Sequence, residues 1–455
     1  MPSVDRAIYF IHKTDERSHI PARPKPASRA ASRTVQEVTS GMETVPSNAP
    51  LIAHVDLDSF FAAAEILRRP ELKDHPVAVG GRGARGVIAT ANYPARAFGV
   101  GSAMATREAL RRCPQLVVLP GDFSWYRTLS FEVLATLADF AADIEPMSLD
   151  EAFLLLGSSI DYSNVTTHAA ALRLAVRERT GLTISFGAGP TRTIAKLASD
   201  FAKPDGLHIV DPGHATRFLA KTKLSSLGGV GPATQKALER IGVETVTQLA
   251  ATSLATLSYA VGAAQAEHLH AMATATDSAE LFHRGPPSSV GAETTLESDA
   301  GSFDEFNRAV EIQGREALRR LARLGMGATG VAVKARTTAF RDLSRAQALA
   351  ATNSPALLAT AWRQLAKRVY EDAHSPVRLV GVTFTGLTEA VQGNLFTESG
   401  WQLRRAPRVG ETVRHARFGE GLVVVGDPDT AVVRFADQVR IIDDPRSWLS
   451  VVHTN

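Results

Sequence analysis

The stretch IEPMSLDEAFLLL, residues 144–156, places two adjacent carboxylates, Asp150 and Glu151, inside an otherwise apolar run. An ionised carboxylate in apolar surroundings is costly unless a cation or solvent meets it. The pattern predicts two β segments that meet near the acidic pair. Because adjacent residues of a strand face opposite ways, both carboxylates can serve one site only at a strand end or a bulge.

A second acidic cluster lies almost a hundred residues earlier, in AHVDLDSFF, where a buried strand gives way to a helix. A carboxylate at a strand end is well placed to ligate a hard cation, which favours a metal-binding role for Asp56. For Asp58 we favour a simpler role, in which Asp58 or Ser59 only caps the following helix. Three carboxylates from two strands indicate one site for two divalent cations, although paired acids are also typical of solvated turns.

The composition describes a globular chain of 455 residues, 44% hydrophobic and 21% charged, long enough for about three domains. The sequence has no apolar run that could span a bilayer and no signal-peptide pattern, so we expect a soluble, cytoplasmic protein. Its single cysteine, Cys113, excludes an internal disulfide and a cysteine-based metal site. Residues 1–50 have the composition of a disordered tail, and Met42 could be the true start.

The order of apolar and turn patterns predicts an α+β multidomain protein. Helices and short strands alternate over residues 51–212, residues 213–282 are helical with short loops, and residues 283–289 resemble a linker. A separate α+β unit follows over 290–390, and residues 408–455 are rich in β patterns.

Five motifs, in this order and spacing, resemble the Y-family DNA polymerases, and most closely the bacterial DNA polymerase IV (DinB) type: HVDLDSFFAAAE, GVIATANYPARAFGV, SLDEAF, IAKLASDFAKPDG and LGGVGPATQKAL. The resemblance implies a right-hand polymerase with a palm (51–60 and 123–212), fingers (61–122), a thumb (213–282) and a little finger (290–390). It also implies template-directed, low-fidelity translesion synthesis from dNTPs on primer-template DNA.

The same resemblance assigns the catalytic residues. It implies that Asp56, Asp150 and Glu151 hold two Mg²⁺ ions, and that the Leu57 carbonyl completes one coordination shell. Phe61 matches the steric gate, whose ring takes the space that a ribonucleotide 2′-hydroxyl needs. The alternative, an ordinary core phenylalanine, fits the preceding residue, Phe60, better.

Three further residues match those that contact the incoming triphosphate in the family: Tyr93, Arg96 and Lys196. A guanidinium offers a fork of donors to phosphate oxygens, and a lysine supplies a point charge. Taken alone, Arg96 and Lys196 could equally belong to solvated helix faces.

Two regions are expected to bind DNA phosphates. LGGVGPATQKAL matches a helix-hairpin-helix, in which Gly229 and Gly231 would expose backbone N–H groups to a phosphate. Residues 284–378 contain 14 Lys and Arg against 10 Asp and Glu, and Lys334 and Arg336 fall on strand patterns of this segment. A sheet lying against duplex phosphates would suit these charges, although many must be plain solvated surface.

The pentapeptide QGNLF fits the pattern of peptides that bind the sliding clamp (β subunit). Leu395 and Phe396 would enter an apolar pocket, and Gln392 would form a hydrogen bond nearby. The chain continues well beyond this motif, which the family does not usually do. The added segment resembles the small Tudor-like β-barrels of some UvrD/PcrA-type helicases, so we expect a partner-docking module, with nonspecific nucleic-acid binding as the alternative.

Two other functions compete with a polymerase. A non-catalytic recruitment factor leaves the three intact carboxylates unexplained. A helix-hairpin-helix nuclease leaves the NYPAR motif and Phe61 unexplained. The sequence shows no coiled coil and no large apolar surface pattern, so we expect a monomer that does not bind membranes.

Overall fold

The structure is a computed structural model, and it describes residues 50–282, 285–389, 406–436 and 438–452. The strands in chain order are β1 Ile52–Leu57, β2 Val77–Gly80, β3 Ile88–Ala91, β4 Val117–Leu119, β5 Asp143–Pro146, β6 Glu151–Leu155, β7 Ile184–Gly189, β8 Leu207–Ile209, β9 Ser289–Ala300, β10 Gly327–Thr337, β11 Asp342–Thr352, β12 Val377–Thr388, β13 Thr412–His415, β14 Gly419–Gly426, β15 Thr430–Phe435, β16 Val439–Asp443 and β17 Leu449–Val451.

The helices in chain order are α1 Phe60–Arg68, α2 Tyr93–Arg96, α3 Thr106–Arg112, α4 Phe123–Phe140, α5 Val165–Thr180, α6 Arg192–Ala202, α7 Ala215–Ala220, α8 Pro232–Glu239, α9 Val246–Ala251, α10 Leu254–Val261, α11 Ala263–Ala273, α12 Phe303–Leu324, α13 Pro355–Ala373 and α14 Pro445–Trp448. The chain divides into two compact units. One contains the described residues up to Lys73 and Thr136–Leu281, and the other contains Asp74–Ala135 and the described residues from Phe282 onward.

The first unit is built on a five-stranded sheet in the order β5-β6-β1-β7-β8. Its neighbours are antiparallel except for β7 and β8, as the sequence predicts for an α+β unit. The central strand β1 is apolar and almost wholly buried, which explains why it lies in the middle of the sheet. Helices α7 to α11 form a second core beside the sheet, built from apolar side chains of short helices.

Helix α6 packs unusually close to this sheet, at Gly187 of β7. A Cβ atom at Gly187 would lie 2.1 Å from the backbone nitrogen of Ser199 and 2.3 Å from the carbonyl oxygen of Ala195. Only glycine permits this approach. The close packing brings the polar side chains of α6 down onto the strand that carries Asp56.

The second unit contains a small sheet, β3-β2-β4, and a larger antiparallel sheet in the order β11-β10-β12-β9. Helices α12 and α13 cover one face of the larger sheet, around the buried rings of Trp362, Phe306 and Phe384. A capping box between Ser302 and Glu305 fixes the start of α12. This segment has the mixed helix and strand content that was expected of it, and its extent as a separate unit over 290–390 stays a prediction.

The last segment forms a five-stranded antiparallel sheet in the order β16-β15-β14-β13-β17, around a small apolar core of its own. In the described residues the two ends of this order, β16 and β17, do not pair, so the predicted closed barrel is wrong. The segment contacts α4. The guanidinium of Arg127 donates hydrogen bonds to the carboxylates of Asp427, at 2.6 Å, and Asp429, at 3.2 Å.

No helix among the described residues is long and apolar enough to cross a membrane. The predicted disordered tail, apart from residue 50, and the clamp-binding residues Gln392, Leu395 and Phe396 lie outside the described residues. The finer domain boundaries stay predictions.

Candidate active site

The strand pairing of the first unit brings the acidic residues together. In the antiparallel register of β1 and β6, Asp56 lies directly opposite Glu151. Side chains directly opposite in such a pair share one face of the sheet. Asp150 precedes β6, and its carbonyl oxygen accepts a 2.8 Å hydrogen bond from the backbone nitrogen of Leu57. The expectation that Asp150 and Glu151 meet at a strand end is confirmed.

Two lysines of the α6 region supply the cations that the carboxylates need. The Lys203 ammonium group lies 2.7 Å from Asp56 and 2.8 Å from Asp200. The Lys196 ammonium group forms an ion pair with Glu151. We refer to Lys196 and Lys203 as the lysine pair. Lys203 was not among the residues predicted for the site.

The loop before β6 holds Asp150 in place through Ser148. The Ser148 hydroxyl donates to the Asp150 carboxylate at 2.5 Å and accepts from the backbone nitrogens of Asp150 and Glu151, each at 3.2 Å. These local bonds fix the turn and hold the carboxylate within range of electrostatic interaction with that of Asp56.

The electrostatics of the site favour an additional cation. Burial raises the pKa of Asp56 to about 7 although Lys203 opposes the shift, and the Asp150 carboxylate adds to the rise. Burial also raises the pKa of Asp150, with a contribution from Glu151. For Glu151, burial alone would raise the pKa, but contacts with His54 and Lys196 hold it below its ordinary value. A divalent cation would stabilise the ionised forms of Asp56 and Asp150, and carboxylate oxygens are the ligands that Mg²⁺ prefers.

The described residues contain no preformed group of three or more histidine, cysteine, aspartate or glutamate side chains that could hold a metal ion as it stands. Asp56 and Glu151 instead engage the lysine pair. The residue types and their burial fit divalent ions, but binding would require these ion pairs to rearrange.

Asp58 has a tertiary role, so the prediction that Asp58 or Ser59 only caps α1 is wrong. Ser59, the N-cap residue, makes no capping bond with its side chain. The buried Asp58 carboxylate accepts hydrogen bonds from Thr183, Ser185 and the backbone nitrogen of Asp205, at 2.8 to 2.9 Å. Donors from two other segments thus bind the carboxylate of Asp58.

The remaining predicted nucleotide contacts are distributed over both units. Tyr93 and Arg96 lie together in α2 of the second unit, with the guanidinium 4.8 Å from the tyrosine ring centre. Phe61 lies in the first turn of α1 and is partly exposed, whereas Phe60 is only 1% exposed. The assignment of Phe60 rather than Phe61 to the core is confirmed. The roles of Tyr93, Arg96 and Phe61 stay predictions.

The predicted hairpin glycines precede α8. Gly229 has a φ of +82°, and Gly231 is the N-cap residue of the helix. A Cβ atom at Gly231 would have no heavy atom within 4 Å, so the packing of the chain does not require glycine there. Glycine is among the residues favoured at an N-cap, and the open space at Gly231 would also admit an external group.

The predicted basic residues of the larger sheet are paired within it. Lys334 lies 3.1 Å from Glu293, reaching across Gly381, which has no side chain to block it. Arg336 donates to both oxygens of Asp342, at 2.6 and 2.8 Å. Lys334 and Arg336 alternate along β10 with buried apolar residues, so they lie on the sheet face away from the helices.

Comparison with known proteins identifies the family. Residues 55–200 match the impB/mucB/samB family, and residues 287–395 match the C-terminal domain of the same family. A DNA polymerase IV from Streptomyces coelicolor is 35% identical over 433 residues, which cover 87% of this chain and 89% of the relative. The chain belongs to the DNA polymerase IV family. A second family member, from Halorhodospira halophila, is 38% identical over 347 residues, covering 74% of this chain and 95% of the relative.

Comparison with solved structures supports the fold of this member of the DNA polymerase IV family. A Y-family DNA polymerase chimera of Dbh and Dpo4 superposes with a TM-score of 0.69 at 24% identity, covering 75% of this chain and 100% of that chain. An insertion ternary complex of Dbh DNA polymerase gives a TM-score of 0.54 at 23% identity, with 75% and 100% coverage. The predicted Y-family fold is confirmed, and membership of this polymerase family implies dependence on divalent metal ions.

Proposed function

We propose that this chain is a template-directed, low-fidelity translesion DNA polymerase that uses two Mg²⁺ ions and is recruited by the sliding clamp. The observation that carries the proposal is the pairing of Asp56 opposite Glu151, with Asp150 bonded to the next residue of β1. A primer 3′-hydroxyl would attack the α-phosphate of a dNTP, and pyrophosphate would leave.

The three carboxylates are proposed to hold the metal ions: Asp56, Asp150 and Glu151. The carbonyl of Leu57 would complete one coordination shell. When bound, such ions activate the attacking hydroxyl and stabilise the leaving oxygen. The chain's own part is to bury these carboxylates at the sheet end, where charge interactions are stronger than in water.

The lysine pair is proposed to bind the triphosphate when nucleotide and metal ions arrive. Phosphate oxygens would then replace Asp56 and Glu151 as partners of the ammonium groups, which frees these carboxylates for the ions. Arg96 would add a fork of donors, and Tyr93 would contact the same triphosphate. Lys196 was expected in this role, and its ion pair with Glu151 supports a position beside the carboxylates.

Phe61 is proposed as the steric gate. It is one turn beyond the end of β1, and its ring is partly exposed rather than enclosed in the core. A ring beside the sugar would exclude a 2′-hydroxyl by overpacking, which costs about 1–3 kcal/mol.

DNA binding is proposed for Gly229 and Gly231 of the hairpin and for Lys334 and Arg336 of β10. The open space around Gly231 and the shared sheet face of the two basic residues support this role. Replacing either Lys334 or Arg336 by alanine should weaken the salt dependence of DNA binding. The slope of the logarithm of the binding constant against the logarithm of the salt concentration should fall in magnitude by about one. The matched control is Arg319→Ala, because the Arg319 side chain is exposed on α12.

The segments beyond the little finger are proposed to recruit the enzyme. Gln392, Leu395 and Phe396 would bind the clamp. The C-terminal segment carries Trp448 at the end of α14, where it is 62% exposed. This segment would dock a protein partner, with nonspecific nucleic-acid binding as the alternative. We propose a cytoplasmic monomer.

One primer-extension assay with Mg²⁺ and dNTPs tests the function against its alternatives. The full chain should lengthen the primer, and Asp150→Ala should abolish extension. Shortening of the primer would identify a nuclease. A chain that binds primer-template but neither extends nor shortens it would be a recruitment factor, and the proposal would be wrong.

A further inference from the structure

A buried histidine lies directly behind the carboxylate of Glu151. His54 is on β1, two residues before Asp56, and therefore on the same face of the sheet. Its side chain is 0% exposed. One ring nitrogen, Nδ1, is 2.7 Å from the Ser199 hydroxyl. The other, Nε2, is 3.5 Å from Glu151 Oε2 and has no hydrogen-bond partner, although it is buried.

The surrounding elements fix the orientation of this ring. Phe153, directly across in the register of β1 and β6, contacts the imidazole edge-on, with ring centres 4.7 Å apart. Ser199 lies on α6, which the close packing at Gly187 holds against the sheet. The ring is therefore enclosed on both sides, and Nε2 points at the carboxylate of Glu151.

Of the two neutral tautomers of His54, only one satisfies the hydrogen-bonding groups at both ring nitrogens. The ring is wholly buried beside the ion pair of Lys196 and Glu151, which already neutralises the carboxylate, so the ring carries no charge of its own. An ionised Glu151 can only accept, so Nε2 must carry the proton if it is to bond with Glu151. Nδ1 is then an acceptor, and the Ser199 hydroxyl must donate to it.

The opposite tautomer leaves one buried ring nitrogen without a hydrogen-bond partner. The Ser199 hydroxyl has a second acceptor, the carbonyl of Lys196, at 2.7 Å. If it donates there, Nδ1 must carry the ring proton, and the Nε2 lone pair faces the carboxylate of Glu151. That arrangement buries an unsatisfied nitrogen beside a negative charge, which is unfavourable.

We propose that Ser199 and His54 form a hydrogen-bond relay that positions Glu151 for metal binding. His54 is a positioning residue, because it acts through Glu151 and contacts no substrate. The present Nε2 to oxygen distance exceeds that of a hydrogen bond. Such contacts are often long in ligand-free enzymes and shorten in the working complex. The inference rests on the proposed polymerase function.

The first test measures metal affinity rather than turnover. The full chain is bound to primer-template and a non-hydrolysable dNTP and titrated with Mn²⁺, read by electron paramagnetic resonance. His54→Phe keeps an aromatic ring against Phe153 but removes both nitrogens, and we expect its Mn²⁺ affinity to fall about 10–100-fold. His54→Gln, which can still donate to Glu151, should recover part of the loss. Unchanged affinity in His54→Phe would overturn the inference.

The second test reads the tautomer itself and does not depend on the folding of a variant. Two-bond ¹H–¹⁵N spectra of the histidine-labelled full chain should show the Nε2–H tautomer for His54 in the wild type. A wild-type ring with its proton on Nδ1 would refute the relay.

The two proposals can fail separately. If Asp150→Ala abolishes primer extension while His54→Phe binds Mn²⁺ like the wild type, the polymerase function stands and only the relay is wrong. If Asp150→Ala still extends primers, the proposed function fails whatever His54 does.

Discussion

Replacing Asp58 should destabilise the sheet that carries the carboxylates. The Asp58 carboxylate is 6% exposed and accepts from the hydroxyls of Thr183 and Ser185 and from the backbone nitrogen of Asp205. These bonds tie the end of β1 to β7 and to the turn that follows Lys203. Asp58→Ala would leave all three donors without this acceptor.

The size of the loss follows from the burial of the donors. The Thr183 hydroxyl is only partly buried and can turn to solvent, whereas the Ser185 hydroxyl and the Asp205 nitrogen cannot easily do so. Two donors that lose their acceptor, at about 1–3 kcal/mol each, give an expected loss of about 2–6 kcal/mol. Asp58→Asn keeps one carbonyl oxygen, which can take the place of Oδ2 and retain two bonds. Only the Ser185 hydroxyl then loses its acceptor, and the expected loss is about 1–3 kcal/mol.

Hydrogen exchange measured by mass spectrometry on the full chain reads the change where it occurs. Peptides that cover residues 52–58 and 183–189 report the opening free energy of β1 and β7. Glu178→Ala, which removes an equal charge from an exposed position of α5, is the control. If Asp58→Ala lost less than about 1 kcal/mol, or Asp58→Asn lost as much as Asp58→Ala, this account of the carboxylate would be refuted.

Four further changes test the site, the recruitment peptide and the packing. Phe61→Ala should raise ribonucleotide incorporation while DNA synthesis stays measurable, and an unchanged sugar preference in single-nucleotide insertion assays would count against a steric gate. Lys203→Gln should raise the KM for dNTP about 10–100-fold, as expected for a lost charged hydrogen bond, while exposed Lys221→Gln should leave it unchanged. Deleting Gln392–Phe396 should abolish clamp-stimulated synthesis and spare the basal rate, so retained stimulation would contradict the clamp role. Gly314→Ala would place a Cβ 2.6 Å from the buried Trp362 ring, and the overpacking of about 1–3 kcal/mol should outweigh a helix gain of about 1 kcal/mol in urea denaturation.

Patterns with a local physical cause could be predicted from the sequence. The apolar run of β1 and the turn before β6 placed Asp56 and the acidic pair at strand ends, as the structure has them. The N-cap interpretation of Asp58 failed because the local preference for aspartate before a helix competed with three donors from distant segments.

Contacts between segments that are distant in the chain could not be predicted, because they leave no local pattern in the sequence. Lys203 and Asp56 are 147 residues apart, and nothing in their spacing predicts an ion pair. His54 was missed because a histidine in an apolar strand gives no indication of its partners. Strand β11, DLSRAQALAAT, has few β-branched residues and was also missed. It forms along the open edge of β10, which supplies its backbone hydrogen bonds.

The lysine pair has a consequence for how this enzyme is assembled. In a zinc finger, metal binding and folding are one event, because the ligands repel or remain unsatisfied without the ion. Here the counter-charges of Asp56 and Glu151 are part of the polypeptide, so the sheet that carries these carboxylates can fold before any metal arrives. An ion that is not needed for folding can bind weakly and leave with the product. If the three carboxylates hold metal ions as proposed, a centre that is reloaded at each nucleotide addition would require this reversibility.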